Sequence, residues 1–245
     1  MISISPGHWH VGTGAVGFID EVTEARRVVE EVVAALSVKG IRVHKIIDNE
    51  SKNQRENLRF LVEHHNRTNR TIDVSIHFNA ASKSTNLPLG VEVLYGDDSL
   101  AKVAQKMSTA ISDAGKLNNR GAKKRNDLYF LNNSKAGAIM IETCFVNSSA
   151  DVALYKKYFP EICCAIMQVL LSVVEVNEAL TFSSTSLHQR VQNVYANMSL
   201  KSTLVEKAIA GKIIQQQWLD KLNQHDLTLL DLCGIALLYF EKENN

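Results

Sequence analysis

The sequence predicts an α/β protein: a mixed, mainly parallel sheet with helices on both faces, followed by a small all-helical C-terminal domain. Three observations carry this expectation. Over residues 1–177, short apolar runs of strand length alternate with longer segments of helical period. One of those runs, Ala138 to Phe145 (AIMIETCF), is apolar almost throughout, as a strand covered on both faces is. From residue 187 onward only helical pattern remains.

The elements follow in order. MISIS opens the chain as a short strand. Asp20 to Leu36 is a helix, because Ala25, Val28, Val29, Val32, Val33 and Leu36 recur at three- and four-residue spacing, and Gly40 ends it. Ile41 to Ile47 (IRVHKII) has strand character. Ser51 to Arg67 is a second helix with Leu58, Leu61, Val62 and His65 on one face, where His65 is expected to be a hydrogen-bonded core histidine. TIDVSIHF (residues 71–78) and GVEVLY (residues 90–95) are strands, and Leu100 to Ala114 is a helix. The basic cluster Arg120, Lys123, Lys124 and Arg125 is expected in a loop. Val152 to Val174 supplies one or two closing helices.

A run of Thr and Ser between residues 178 and 186 marks a linker. Residues 187–245 then hold four helix-like stretches: Leu187 to Asn197, Leu200 to Ala210, Ile213 to Leu222 and Leu227 to Phe240. The last is apolar nearly all round and must be buried, among its neighbours, on the first domain or against a second copy of the chain. Contact between copies of the chain is one role expected of these helices, and a stabilising cap with no binding role is the plainer one.

Composition removes several classes. With 27 Lys and Arg against 26 Asp and Glu, the net charge is +1, which takes away the electrostatic case for a nucleic-acid partner. No stretch reaches the roughly 18 uninterrupted apolar residues of a membrane helix, so no stable membrane insertion is expected. Four cysteines without a CxxC pair are expected to be buried small hydrophobes. The N-terminus shows neither a basic n-region nor an apolar h-region, so no signal peptide is expected.

In open α/β sheets, sites form at the carboxyl ends of strands. Three strands bring polar residues there: His8 or His10 after MISIS, His77 and then Asn79 after DVSI, and Glu142 inside AIMIETCF. Glu21 joins them by helical geometry, four residues before Ala25 and seven before Val28, near the buried stripe of its helix. Glu24 lies further from the stripe centre and is the weaker choice. Two histidines and one carboxylate make a catalytic zinc set that leaves a fourth position for water. The spacing is long-range, and no local motif such as HExxH is present. Glu142 has little opposite charge near it in sequence, so burial would raise its pKa toward neutrality and suit it to proton transfer. A Glu pointing into solvent at the strand's exit is the plainer alternative.

Two other motifs carry less. Gly12 to Gly17 (GTGAVG) matches GxGxxG, but it does not follow the strand directly and the nearest strand-end acid, Asp48, is too distant for a dinucleotide site. It is expected to be a loop that lets backbone approach a metal or substrate. His8-x-His10 could begin a binuclear site, yet His44 falls mid-strand and His64 and His65 fall on a helix, so further ligands are missing.

These residues resemble the zinc N-acetylmuramoyl-L-alanine amidases of the amidase-3 group, found among bacterial cell-wall enzymes and phage endolysins. The likeness runs in order over roughly residues 1–176: Pro6-Gly7-His8, Glu21 with Gly40 after its helix, Ser75 to Ala80 (SIHFNA), Gly90 to Val93 (GVEV), Asn119 to Lys123 (NRGAK), Asp127 to Asn132 (DLYFLN), and Ile141 to Asn147 around Glu142. The loop after His8 departs from the family, reading His-Trp-His. The resemblance implies Zn2+ held by His8, Glu21 and His77, with His10 and Glu24 as the weaker alternatives. It implies Glu142 as the proton carrier and Asn79, Arg120 and Lys123 as substrate contacts. The implied partner is bacterial peptidoglycan, cut at the amide between N-acetylmuramic acid and L-alanine. An endolysin is expected, held in the host cytoplasm until lysis and acting afterwards at the cell wall, with residues 187–245 directing it there. A sporulation or autolysis amidase, or a catalytically silent peptidoglycan-binding module on the same fold, are the alternatives.

Overall fold

A computed structural model of the chain describes residues 1–177, 198–212, 214, 215, 217–223 and 235. The chain divides into two compact units, Met1–Glu178 and Ala179–Asn245. The expected linker, the expected helix Leu187 to Asn197, and Leu227 to Phe240 apart from Ile235 lie outside the described residues.

The first unit is built on six strands: β1 (Ile2–Pro6), β2 (Val43–Lys45), β3 (Ile72–Asn79), β4 (Val91–Tyr95), β5 (Asn119–Lys124) and β6 (Ala138–Phe145). They lie in the order β2-β1-β3-β6-β4-β5. Every pairing is parallel except β4 with β6, so β4 and β5 run against the other four. The helices are α1 (Glu21–Val38), α2 (Gln54–His65), α3 (Ala101–Gly115), α4 (Tyr129–Asn133), α5 (Ser149–Lys157) and α6 (Phe159–Asn177).

Strand alternation sorts the sheet into two unlike faces. One carries Ile2, Ile4, Val74, Ile76, Val93, Ile139 and Ile141, all fully buried against the stripes of α1, α3 and α6 in one core. Each such side chain contributes roughly 1.5–3 kcal/mol by burial, so this face holds the unit together. The other face carries Leu94, Ala138 and Met140 under Val62 of α2 and Phe130 and Leu131 of α4. Between them that face also bears Ser5, Asp73, Ser75, His77, Glu142 and Glu92.

Two buried polar networks fix this second face. His65 of α2 is fully buried; Nδ1 donates to Asp73 Oδ1 at 2.8 Å, and Nε2 meets Ser5 Oγ at 3.0 Å. A Ser-His-Asp string that is buried throughout cannot meet a substrate; it satisfies polar groups where α2 lies on the sheet. Asp151 accepts hydrogen bonds from the amides of Leu89 and Gly90 at 2.9 Å and of Phe145 at 3.1 Å. It thereby ties the entry of β4 to the exit of β6.

The structure corrects several expectations. Residues 119–124 are not a loop but edge strand β5, paired with β4 through an irregular register between Val91 and Val93. Its residues are mostly exposed or half-buried, so apolar alternation could not reveal it. The strand expected over residues 41–47 shortens to β2 at the opposite edge. The closing segment, expected as one or two helices, is two, broken at Tyr158, with Pro160 in the first turn of α6, where its missing N–H costs nothing. Cys144 and Cys163 are buried as expected, but Cys164 is exposed, and Cys233 lies outside the described residues.

The second unit is helical wherever it is described in regular structure: α7 (Met198–Ala210) and α8 (Gln217–Asn223). Val205, Ala208, Leu222 and Ile235 form its core, flanked by Leu204, Ile209, Ile214, Trp218 and Leu219. Lys212 turns left-handed after α7, Ile214 and Gln215 are not helical, and of the stretch expected over Ile213 to Leu222 the described helix is Gln217–Asn223. Among the described residues no single helix is long and apolar enough to cross a membrane.

Candidate metal centre and active site

The chain leaves β1 through Pro6 and Gly7, whose amide donates to the Ile76 carbonyl at 2.8 Å and continues the alignment with β3. His8 follows in the left-handed region, with φ of 61°. Two side chains hold this bend. Asn57 of α2 donates Nδ2 to the His8 carbonyl at 3.2 Å, and Arg26 of α1 donates to the Trp9 carbonyl at 2.6 Å. Arg26 also donates to the Asp48 carbonyl, and Asn57 to the Asp48 carboxylate, so one buried network carries the loop.

Glu21 is the first residue of α1, after Asp20 caps the helix by accepting from the Thr23 amide. Its carboxylate is buried and gathers four donors. Oε1 accepts from His77 Nδ1 at 2.9 Å and from the Phe78 amide at 3.1 Å. Oε2 accepts from the Ala15 amide at 2.7 Å and lies 3.1 Å from His8 Nε2. One ligand atom from each of His8, Glu21 and His77 can be chosen so that all lie within 4.8 Å of one another.

On the sheet, His77 pairs in register with Glu142, and Glu142 with Glu92 on β4. Register partners project to the same face, so three strands present an unbroken polar row. Among the described residues, Glu142 Oε2 is buried without a hydrogen-bond partner. Burial pushes the Glu142 carboxyl up to about 7, aided by the nearby acids Glu21 and Glu92 and opposed by His77. Glu21 behaves oppositely: burial pushes it up, but hydrogen bonds from His77 and His8 outweigh that and hold it well below the usual carboxylate range. Burial pulls His77 down, while Glu21 and then Glu142 favour its charged form and win, leaving it raised.

The set suits a divalent cation. Two imidazoles and a carboxylate are the donors of a catalytic zinc site, and the charge that favours protons on His77 favours a metal in their place. The Glu142 carboxyl, raised toward neutrality by burial, lies beside this set in the same cleft, where it could exchange a proton with a bound group. All four residues line one cleft of about 390 Å³, walled by Gln54, Leu58 and Leu61 of α2 and by Leu128, Tyr129 and Phe130.

The two weaker alternatives fall outside the cluster. His10 is exposed, its carbonyl closing a turn with Thr13. Glu24 accepts from Arg27 at 2.6 Å and from the Tyr155 hydroxyl at 2.8 Å, one helical step away from the cleft. Asn79, Arg120 and Lys123 converge on a residue that the sequence reading passed over. Glu92 accepts from Asn79 Nδ2 at 3.1 Å, Arg120 Nε at 2.6 Å and Lys123 Nζ at 2.5 Å. Burial pushes its carboxyl up, but the Arg120 and Lys123 contacts outweigh this and lower it. An acid in the otherwise apolar GVEVLY was the available clue; alternation alone would have placed it in solvent. Asn57 and Arg26 were missed for lack of any local motif.

Gly7 has to be glycine, since a Cβ there would land on the His77 imidazole. Gly7→Ala is expected to turn that ring off Glu21 and weaken metal binding by about 10–100-fold, the usual effect of disturbing a ligand's support. Chelator competition measures this; unchanged affinity would show that the ring can move without consequence.

Among known proteins, the family model described as N-acetylmuramoyl-L-alanine amidase (amidase-3) matches residues 2–170. The fold is similar to the catalytic domain of the CD27L endolysin targeting Clostridia difficile, with a TM-score of 0.64 and 25% identity, covering 70% of this chain and 96% of that one. It is also similar to an N-acetylmuramoyl-L-alanine amidase from Clostridium difficile 630, with a TM-score of 0.62 and 24% identity, covering 71% and 96%. An uncharacterized 38.4 kDa protein of Clostridium perfringens is 31% identical over 158 residues, which is 64% of this chain and 46% of the relative. With a second relative from that organism covered over 53% of its length, the chain spans about half the length of the curated relatives it matches.

Proposed function

The chain belongs to the amidase-3 family of N-acetylmuramoyl-L-alanine amidases, and from that premise we propose that it hydrolyses bacterial peptidoglycan at the amide joining the lactyl group of N-acetylmuramic acid to L-alanine. The observation that carries the reading is the convergence of His8, Glu21 and His77 beside the unpartnered, buried carboxylate of Glu142. A zinc ion held by His8, Glu21 and His77 would polarise the amide carbonyl and acidify the attacking water to a pKa of about 7. Glu142 takes the proton at Oε2 and returns it to the leaving nitrogen of L-alanine. Burial sets its affinity for that proton near neutrality, where a base both accepts and releases. Asn57 keeps His8 in its bend. Asn79, Arg120 and Lys123 contact the peptide on the β4–β5 side of the cleft.

Digestion of purified wall tests the reaction. Mass spectrometry is expected to find new free N-terminal L-alanine with the glycan intact. Reducing sugars in place of free amines would overturn the reading, and tight wall binding with neither product would leave a binding module. The similarity to an endolysin catalytic domain supports a lysis role, with the enzyme held in the host cytoplasm until the membrane is breached and then meeting the wall. Secretion by intact cells without a pore-forming partner would contradict that placement.

A further inference from the structure

We propose that Glu92 is a positioning residue that builds, from Arg120 and Lys123, a receptor for one carboxylate of the peptide, so that the enzyme prefers a peptide bearing that free acid to its amide. The proposal rests on the amidase reading above.

The acid is the buried member of the cluster and the cations are its surface. The Glu92 side chain is 10% exposed, against 36% for Arg120 and 41% for Lys123. An ordinary surface ion pair has no such layering. With one acid beneath two bases, the cluster keeps a single net positive charge on its exposed side, next to Asn79 of the cleft wall and matched to one carboxylate. Arg120 binds Glu92 through Nε, which leaves the terminal fork of its guanidinium to meet a second carboxylate in two-point geometry. The Phe145 ring lies under that guanidinium, 5.0 Å from centroid to Cζ, and limits its swing. Asn79 holds the other oxygen of Glu92 from β3. Without Glu92, Arg120 and Lys123 would repel each other and lose their shared position.

Place gives the substrate group. Glu142 stands between His77 on one side and Glu92 on the other. Neighbouring strands lie about 4.8 Å apart, so the cations sit roughly one to two spacings, about 5–10 Å, from the proton carrier. An extended chain covers about 3.3–3.6 Å per residue, so this distance reaches the residue or two after L-alanine. A peptide that leaves toward β5 brings the carboxylate at its second residue to the receptor.

Two synthetic muramoyl peptides, alike except that the second residue carries a free α-carboxylate in one and a carboxamide in the other, test this on the zinc-loaded full chain. Wild type is expected to favour the acid by about 10-fold in kcat/KM, the lower range for a hydrogen bond to a charged group. Glu92→Gln should bring the ratio close to one through a rise in KM for the acid, and Glu92→Asp should restore part of it. General damage to the fold would lower both substrates alike and leave the ratio unchanged, which would overturn the proposal. Should Glu92→Gln fail to fold, Arg120→Gln decides: it removes the surplus charge and must also abolish the preference. A wild-type ratio of one defeats the receptor while leaving the amidase intact, whereas hydrolysis of neither peptide defeats the amidase reading itself.

Discussion

Glu142→Gln is expected to retain the metal and lose between about 100-fold and 10,000-fold in turnover, the contribution of a positioned proton carrier. The exchange preserves shape and removes only the capacity to accept a proton. Against the protonated acid, which also carries an unpaired donor there, the amide should change stability little. Against the ionised acid of the metal-free protein it should be the more stable. A carboxyl raised from 4.5 to about 7 by burial binds its proton more tightly folded than unfolded. Its contribution is complete below pH 4.5 and is lost as pH rises through 7, at a cost on the order of 3 kcal/mol. Glu142→Gln lacks that loss, so the metal-free variant should outlast the metal-free wild type at pH 8 and match it at pH 4. Metal analysis beside a hydrolysis assay reads the first expectation, and urea midpoints at the two pH values read the second. A variant that lost its zinc would place Glu142 among the ligands and overturn the assignment.

Glu21→Ala is expected to lose both metal and activity to background. It removes one of the three proposed ligands and the carboxylate that His77 and His8 meet in the metal-free protein. The same change strands the amides of Ala15 and Phe78, worth about 1–3 kcal/mol each when left unpaired. Glu24→Ala is the control. It sacrifices the contacts to Arg27 and Tyr155 but should keep the metal. Metal content measured side by side decides; a Glu24→Ala protein that emptied while Glu21→Ala stayed loaded would reverse the two roles.

Much of the architecture was legible because burial on one sheet face leaves a periodic trace. The stripe of α1, the continuous run of β6 and the alternation in β3 all register the same aliphatic layer. That stripe also showed that Glu21 lies nearer the sheet than Glu24, since both positions belong to one helix of known pitch. The trace fails where burial does. Strand β5 is polar and half-exposed, so NRGAKK carried no period, and α4 is too short to show one. The direction of β4 was hidden as well, because a strand's sequence does not encode which neighbour it will join. Glu92 went unread for that reason: its importance comes from lying opposite Glu142, a fact of pairing alone. The bend at His8 depends on Arg26 and Asn57, residues 18 and 49 positions away, which no local pattern links.

The reversed course of β4 has a consequence for how this lineage can change. Because its side chains alternate, a slip of one residue would set Val91 or Val93 against Glu142 and drive the Glu92 carboxylate into the aliphatic layer. The chain between β3 and β4 can therefore grow or shrink only if it re-enters the sheet in the same phase. Gly90 sets that phase. Its φ is 97°, and a side chain there would collide with the Asn118 carbonyl, so no neighbouring residue can take its place. Asp151, in α5 just after β6, accepts from its amide. The entry to β4 works as a toothed key: length can change only between the points where Ala81, Thr85, Leu87 and Leu89 are tied to residues 147–151, and the frame of β4 stays locked to one glycine.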